Sequence, residues 1–309
     1  MIIVKIYLNN VQSFHLGKIM DIVFHCDEDT NFTRSDQFVR AFTYENYSIP
    51  PHSHDFYEIN IVIGGKGVHQ IESSKVNVER GDVFVIPPQI SHAYYNTDCL
   101  DVCHVILKND FIKSNQKEAH SVDGYLRLME IEPFLRQNNS EAMFLHLDAT
   151  QLSELQHDLK YLEDSGIFNH HTYSAIQSHS VWKLIYYLSY LFHKQTCDER
   201  KGSISNFNAQ ILNTLEYIHQ HFGERITIEK LAKRIFLSRS TFLRNFQSVC
   251  GCSPIQYLNN YRLTRANELI KDSTLSKTDI AHSCGFYDLS HMERSIRNKG
   301  VDISIRKQN

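Results

Sequence analysis

The chain has 309 residues, 42% hydrophobic and 22% charged, with a formal net charge of −3 at pH 7. That composition excludes an intrinsically disordered chain, and the length leaves room for two domains or a domain with a smaller module. No apolar run approaches a membrane span, and Met1–Asn10 lacks the basic flank and cleavage site of a signal peptide.

Seven scattered cysteines (Cys26, Cys99, Cys103, Cys197, Cys250, Cys252 and Cys284) argue against a disulfide framework and for a reduced, cytoplasmic setting. Cys250-Gly-Cys252 is the one close pair, and its spacing is poor for a zinc site. Charge is unevenly distributed. Residues 203–309 hold 15 lysines and arginines against 9 aspartates and glutamates, whereas residues 1–202 hold 17 against 26. A basic segment behind an acidic one suggests that only the C-terminal part meets a polyanion.

Residues 1–50 show no clear period. From Tyr57 short apolar runs alternate with turn signals: Tyr57–Ile63 ends at Gly64-Gly65, Val68–Ile71 at Glu72–Lys75, Val76–Val78 at Glu79–Asp82, and Val83–Ile86 at Pro87-Pro88, with Val102–Leu107 beyond. Many short strands at this spacing predict a small barrel or sandwich over residues 1–110. After residue 110 the texture turns helical. Leu152, Leu155, Leu159 and Leu162 recur at spacings of three and four, and Ile176–His193 is a second helical run. The helices of 111–197 are expected to dock on the barrel or to pair two subunits. The polar stretch Cys197–Asn206 reads as a linker.

From Asn208 the helical signals sharpen. Ile211, Leu215, Ile218 and Phe222 form one stripe, closed by Gly223. Thr227 caps a short helix holding Leu231 and Ala232, and Ser238 caps another holding Phe242 and Phe246. Ser253-Pro254 opens a helix to about Lys271. The order then repeats: Ser276 and Asp279 make a capping-box-like start, Ile280-Ala281 follow, Gly285-Phe286 turn, and Ser290–Asn298 form a further helix.

A short helix, a tight turn and a second helix opening on small polar residues is the geometry that fills a DNA major groove. Two such units are expected, with base-reading candidates Arg239, Ser240, Thr241 and Arg244 in the first and Leu289, Ser290 and Arg294 in the second. The helix between them, about 18 residues or roughly 27 Å long, suits units placed in successive groove turns about 34 Å apart. The bland alternative is a plain helical bundle with solvated arginines.

The stretches Ile228–Ala232, Leu237–Phe246, Gly251–Tyr257, Tyr261–Leu263 with Ala266, and Asp279–Phe286 resemble the DNA-binding domain of the AraC/XylS regulators. The resemblance implies a DNA-binding domain over 208–309 with recognition helices starting at Ser238 and Asp288. Two positions depart from it. Phe236 stands where the family usually has glycine, which predicts a reshaped first turn. The tail from Arg294 has Ile296 for an aromatic and Ile303 for a proline, which predicts a compromised second unit and leaves most base reading to the first.

In the first domain His52-Ser-His54, Glu58, Gly65, and then Gly81, Pro87, His92 and Asn96, resemble the two cupin motifs, with Gln89 replacing a glycine. The resemblance makes His52, His54, Glu58 and His92 the positions for a divalent metal. Three readings stay open: a metal site; a metal-free pocket in which these groups and Tyr94 bind an effector; and a satisfied histidine cluster. His15, His69, His104 and His120 read as ordinary polar positions.

The fold expected is thus multidomain α+β: a cupin-like barrel, middle helices and an all-α double helix-turn-helix domain. The function expected is a ligand-responsive transcription regulator rather than an enzyme, requiring no cofactor. Its partners would be double-stranded promoter DNA, a sugar or other small polar effector, a second copy of the chain and, for an activator, RNA polymerase, with no membrane. A metal-dependent cupin enzyme with a helical appendage is the alternative.

Overall fold

The computed structural model describes residues 24–32, 37–138, 143–165, 171–197 and 206–298. The start of the chain, the expected linker over 198–205 and the altered tail beyond Asn298 lie outside the described residues.

The N-terminal part is an eight-stranded sheet: β1 (Phe24–Cys26), β2 (Val39–Tyr44), β3 (Ile49–His54), β4 (Tyr57–Ile71), β5 (Ser74–Glu79), β6 (Asp82–Ile86), β7 (His92–Leu107) and β8 (Leu145–His146). A short helix α1 (Glu28–Asn31) follows β1, capped by Asp27. The path runs β1-β3-β7-β4-β6-β8, with β2 on β7 and β5 on β4. The expected turn at Gly64-Gly65 is absent. β4 runs through it as one 15-residue strand, antiparallel to β7, with register shifts between Val62 and Val68. Gly65 lies at φ +70°, and a Cβ there would meet the Cys99 carbonyl oxygen at 2.0 Å, so a bulge with a close backbone approach occupies this place.

Side-chain parity sorts the sheet's two faces. Ile59, Ile61, Val83, Val85, Cys103, Val105 and Leu107 face a core covered by helices. Val62, Phe84, Tyr94 and Val102 face the barrel interior. With both faces covered, every residue of β6 is buried.

After β7 come α2 (Asn109–Ser114), α3 (Gln116–Ala119), a π-helical turn (Arg127–Ile131) and α4 (Glu132–Asn138), then α5 (Ala149–Ser165) and α6 (His171–Cys197). Leu152, Leu155, Leu159 and Leu162 pack with Val181, Trp182, Ile185 and Leu188 onto the outer sheet face, so the middle helices dock on the barrel in one shared core. The expected 111–197 region also returns β8 to the sheet, pairing with Asp82 and Val83 of β6.

The C-terminal part holds α7 (Asn206–His221), α8 (Ile228–Arg234), α9 (Arg239–Cys250), α10 (Pro254–Asp272), α11 (Lys277–Ser283) and α12 (Leu289–Asn298). The starts of α8 to α12 follow from capping side chains: Thr227, Ser238, Ser253 in a full capping box with Gln256, Ser276, and Asp288, whose carboxylate accepts the His291 amide at 2.7 Å. Two small cores form. Ile211, Leu215, Leu231, Phe242, Phe246 and Tyr257 build the first; Leu263, Ala266, Ile280, Phe286 and Met292 build the second. α10 supplies residues to both and thereby joins the units. No described helix is long and apolar enough to cross a membrane.

Candidate nucleic-acid interface and buried histidine site

The two helix-turn-helix units superimpose in their hydrogen bonding. In the first turn the Leu237 amide bonds the Ala232 carbonyl at 3.0 Å; in the second, the Phe286 amide bonds the Ala281 carbonyl at 2.9 Å. The first turn is not reshaped by Phe236. That residue takes φ 57°, as Gly285 takes φ 76°, and its ring stays 95% exposed. The second unit is equally well formed as far as Asn298, with Met292 buried and Ile296 packed beside it, so the expected weakness does not show within α12.

Among the base-reading candidates, Arg239, Ser240 and Arg244 are exposed on α9, and Ser290 and Arg294 on α12. Arg244 and Arg294 stand at equivalent positions, six residues beyond Ser238 and Asp288. Thr241 is half-buried, its amide and hydroxyl both bonded to the Ser238 hydroxyl, which makes it part of the cap. Arg239 pairs with Glu229 at 3.4 Å on the surface. Leu289 is half-buried and packs against the second core. Arg297, exposed on the last turn of α12, was not singled out by sequence, because it has no basic counterpart in the first unit.

The second constellation lies inside the barrel. His52 and His54 alternate on β3, Glu58 enters from β4, and His92 opens β7; all four are buried. Donor atoms of His52, Glu58 and His92 lie within 4.8 Å of one another. His54 joins through the carboxylate, its Nε2 3.3 Å from Glu58 Oε2, while His92 Nε2 is 3.1 Å from the same oxygen. Neither contact lies on a hydrogen-bond line, and these three atoms have no other partner among the described residues.

The tautomers explain why. Nδ1 of His52, His54 and His92 faces the carbonyls of Pro50, Phe56 and Ile90 at 3.1, 2.7 and 3.4 Å. A carbonyl only accepts, so each Nδ1 carries the proton and the neutral ring presents a bare Nε2 lone pair. Burial pushes the His52 imidazolium down to about 3, and lowers His92 as well. Burial opposes ionisation of Glu58 too, but the hydrogen bond from His104 outweighs it and holds the carboxyl well below 4.5. Bare imidazole nitrogens turned toward a carboxylate fit a divalent cation, with backbone carbonyls fixing the rings as outer partners do in metal sites.

His104 belongs to this site although the sequence reading treated it as ordinary. Its Nδ1 donates to Glu58 Oε1 at 2.8 Å. Strand parity carried the signal, since Asn60 pairs with His104 in register and so sets it on the face of Glu58. Tyr94 is buried, stacked on His69 at 4.1 Å, and bonded through its hydroxyl to Asn60. It also lines a cavity of about 360 Å³ with Ser48, Pro50, Gln70 and Tyr95.

A family model described as AraC-like ligand binding domain matches residues 35–166, and one described as a helix-turn-helix domain matches residues 231–299. The HTH-type transcriptional activator RhaS of Klebsiella pneumoniae (strain 342) is 28% identical over 257 residues, covering 82% of this chain and 84% of that protein. RhaS of Citrobacter koseri is 28% identical over 254 residues with the same coverage. Among solved structures, the DNA-binding domain of AdpA in complex with a target DNA is 29% identical and covers 30% of this chain and 83% of that one, with a TM-score of 0.29. The curated relatives are transcription regulators, not enzymes.

Proposed function

The chain belongs to the AraC/XylS family of transcription regulators, and we propose that it is a promoter-binding activator whose barrel senses a small polar effector. The observation that carries this reading is the pair of matched helix-turn-helix units, each presenting an arginine at the same place on its second helix. Arg244 and Arg294 read base edges, bidentate to guanine where the site offers one, while Arg239, Ser240 and Ser290 meet phosphates or bases beside them. Thr241 acts by fixing the start of α9. Leu289 acts by seating α12.

The effector occupies the barrel side of the molecule. The 360 Å³ cavity beside Tyr94 has the size of a small-ligand site, and Ser48, Gln70 and Tyr95 offer it hydroxyl and amide groups. A sugar or a comparable polyol matches that lining. His52, Glu58 and His92, with His54 beside them, would hold a divalent metal, which would supply a positive charge inside the barrel. The carbonyls of Pro50, Phe56 and Ile90 lock the imidazoles that would bind the ion. The chain acts in the cytoplasm as a homodimer, and an activator in this position contacts RNA polymerase.

Effector binding alters transcription only by favouring one arrangement of barrel and DNA-binding domain over another. The deciding experiment is selection from fragmented genomic DNA with the purified full-length chain at stated salt, with and without candidate sugars. Recovery of one sequence class, bound with a steep salt dependence, is expected. Recovery of no class overturns the reading.

A further inference from the structure

The twelve residues from Arg127 to Asn138 carry four charged side chains that are paired inside the protein. Their pairing divides between two directions. Arg127 and Glu130 point to the DNA-binding part. Arg127 Nη2 donates to Glu216 at 2.7 Å and to Asn213 at 2.8 Å, both on α7. Glu130 accepts from His120 at 2.9 Å, from His219 of α7 at 3.0 Å and from the Tyr261 hydroxyl of α10 at 3.1 Å. The neighbouring apolar residues follow them. Leu126, Ile131 and Leu135 belong to the core of the first helix-turn-helix unit, and the Phe134 ring lies 4.8 Å from that of Tyr257. α4 itself packs against α9.

Glu132 and Arg136 point the other way. They pair with each other, and Arg136 Nη2 donates to the Val85 carbonyl of β6 at 2.6 Å. The guanidinium sits 4.9 Å from the centre of the Phe84 ring, against which His69 also lies at 4.7 Å. Around this ring several buried polar atoms lack a hydrogen-bond partner among the described residues: Arg136 Nη1, both nitrogens of His69 and Asn60 Oδ1.

Packed apolar residues would stabilise the segment as well as these ions do, because buried ion pairs barely offset their desolvation. What the ions supply is a defined orientation, held at one end by the barrel wall and at the other by α7 and α10. A π-helical turn, a feature frequent at functional positions, carries Arg127 and Glu130, and α4 follows it directly with Glu132 and Arg136.

We infer that Arg127–Asn138 is the element that transmits barrel occupancy to the DNA-reading helices, with Arg136 as its barrel end and Glu130 as its DNA-domain end. A change at the Phe84–His69 wall shifts Arg136 and α4, and α4 moves the core on which α7 and α9 rest. Glu130 and Arg136 are positioning residues, because each acts through the helices it holds. This inference rests on the regulator reading.

The test is a double-mutant cycle on the full-length chain. His69→Leu alters the barrel wall by removing two unpartnered nitrogens and the ring stacked on Tyr94, and it touches no DNA-binding residue. Affinity for the selected DNA is expected to change at least threefold on His69→Leu in the wild-type background, and less than 1.5-fold in the Glu130→Gln background. Amide exchange in α7 and α9 should respond to His69→Leu in the first background and not in the second. Where Glu130→Gln fails to fold, Tyr261→Phe, which removes one hydroxyl from the carboxylate, takes its place. Equal responses in both backgrounds, or no response to His69→Leu in either, overturn the inference. If the wild type selects no DNA, the regulator reading fails by itself and amide exchange alone decides the coupling.

Discussion

Phe236 and Gly285 occupy the same place in the two helix-turn-helix turns, at φ 57° and 76°. Their surroundings explain the different residues. A Cβ at Gly285 would come within 2.7 Å of both Arg262 Nη2 and the Phe222 carbonyl oxygen, whereas Phe236 points its ring into solvent. The second turn therefore requires glycine for space as well as for backbone conformation, and the first bears only the conformational cost.

Replacing Phe236 with glycine removes the left-handed strain of an L residue, about 1–2 kcal/mol, against the added chain entropy of glycine. A net gain of roughly 0.5–1 kcal/mol is expected, since no packed surface is lost. Denaturant unfolding checks this. A loss of stability would mean that the exposed ring does something in the folded protein.

Arg244→Ala should weaken binding to the selected DNA by about 1–3 kcal/mol and relax preference at the base it reads. Arg294→Ala should do the same at a different position of the site, because α12 is as well seated as α9. Mobility-shift titrations on single-base variants separate the two. An unchanged affinity for either variant refutes its assignment.

If the three histidines and Glu58 hold a metal, zinc added at a hundredfold over its dissociation constant should raise stability by about 2.7 kcal/mol. His92→Ala should abolish the rise. Melting by calorimetry, with elemental analysis of the purified protein, reads both effects. Melting that ignores zinc, cobalt and manganese alike removes the metal from the site.

Burial works against the Glu130 carboxylate, yet His120 and His219 outweigh it and depress its ionisation below the usual 4.5. A depressed carboxyl contributes stability that is complete above its unfolded value and is lost as pH falls below it. Glu130→Gln is expected to cost about 1–3 kcal/mol at pH 7. The gap between wild type and variant should narrow as pH falls below 4.5, because the carboxyl of the unfolded chain takes up a proton there while the folded one stays ionised. A gap independent of pH between 7 and 3 contradicts this assignment.

Local signals made the DNA-binding part legible in the sequence. Caps such as Ser238, Ser253 and Ser276, and the apolar pairs Leu231-Ala232 and Ile280-Ala281, act within one helical turn of the residues they govern. The buried site was partly legible for the same reason: His52 and His54 on one strand, with Glu58 just beyond, are neighbours in the chain. His104 escaped because it reaches Glu58 across strands paired 46 residues apart. Gly64-Gly65 misled because glycine permits a bulge as readily as a turn, and the partner strand decides between them.

The sequence by itself determined that two helix-turn-helix units follow a β-rich domain bearing a histidine cluster, because caps, helical period and strand alternation are written at short range. Only the tertiary structure decided that β8 returns to the sheet, that the Nε2 atoms of His54 and His92 converge on Glu58, and that Leu126, Ile131 and Leu135 complete the core of the first DNA-reading unit. Those outcomes depend on which surfaces bury one another across long separations in the chain, and no short-range pattern records that choice.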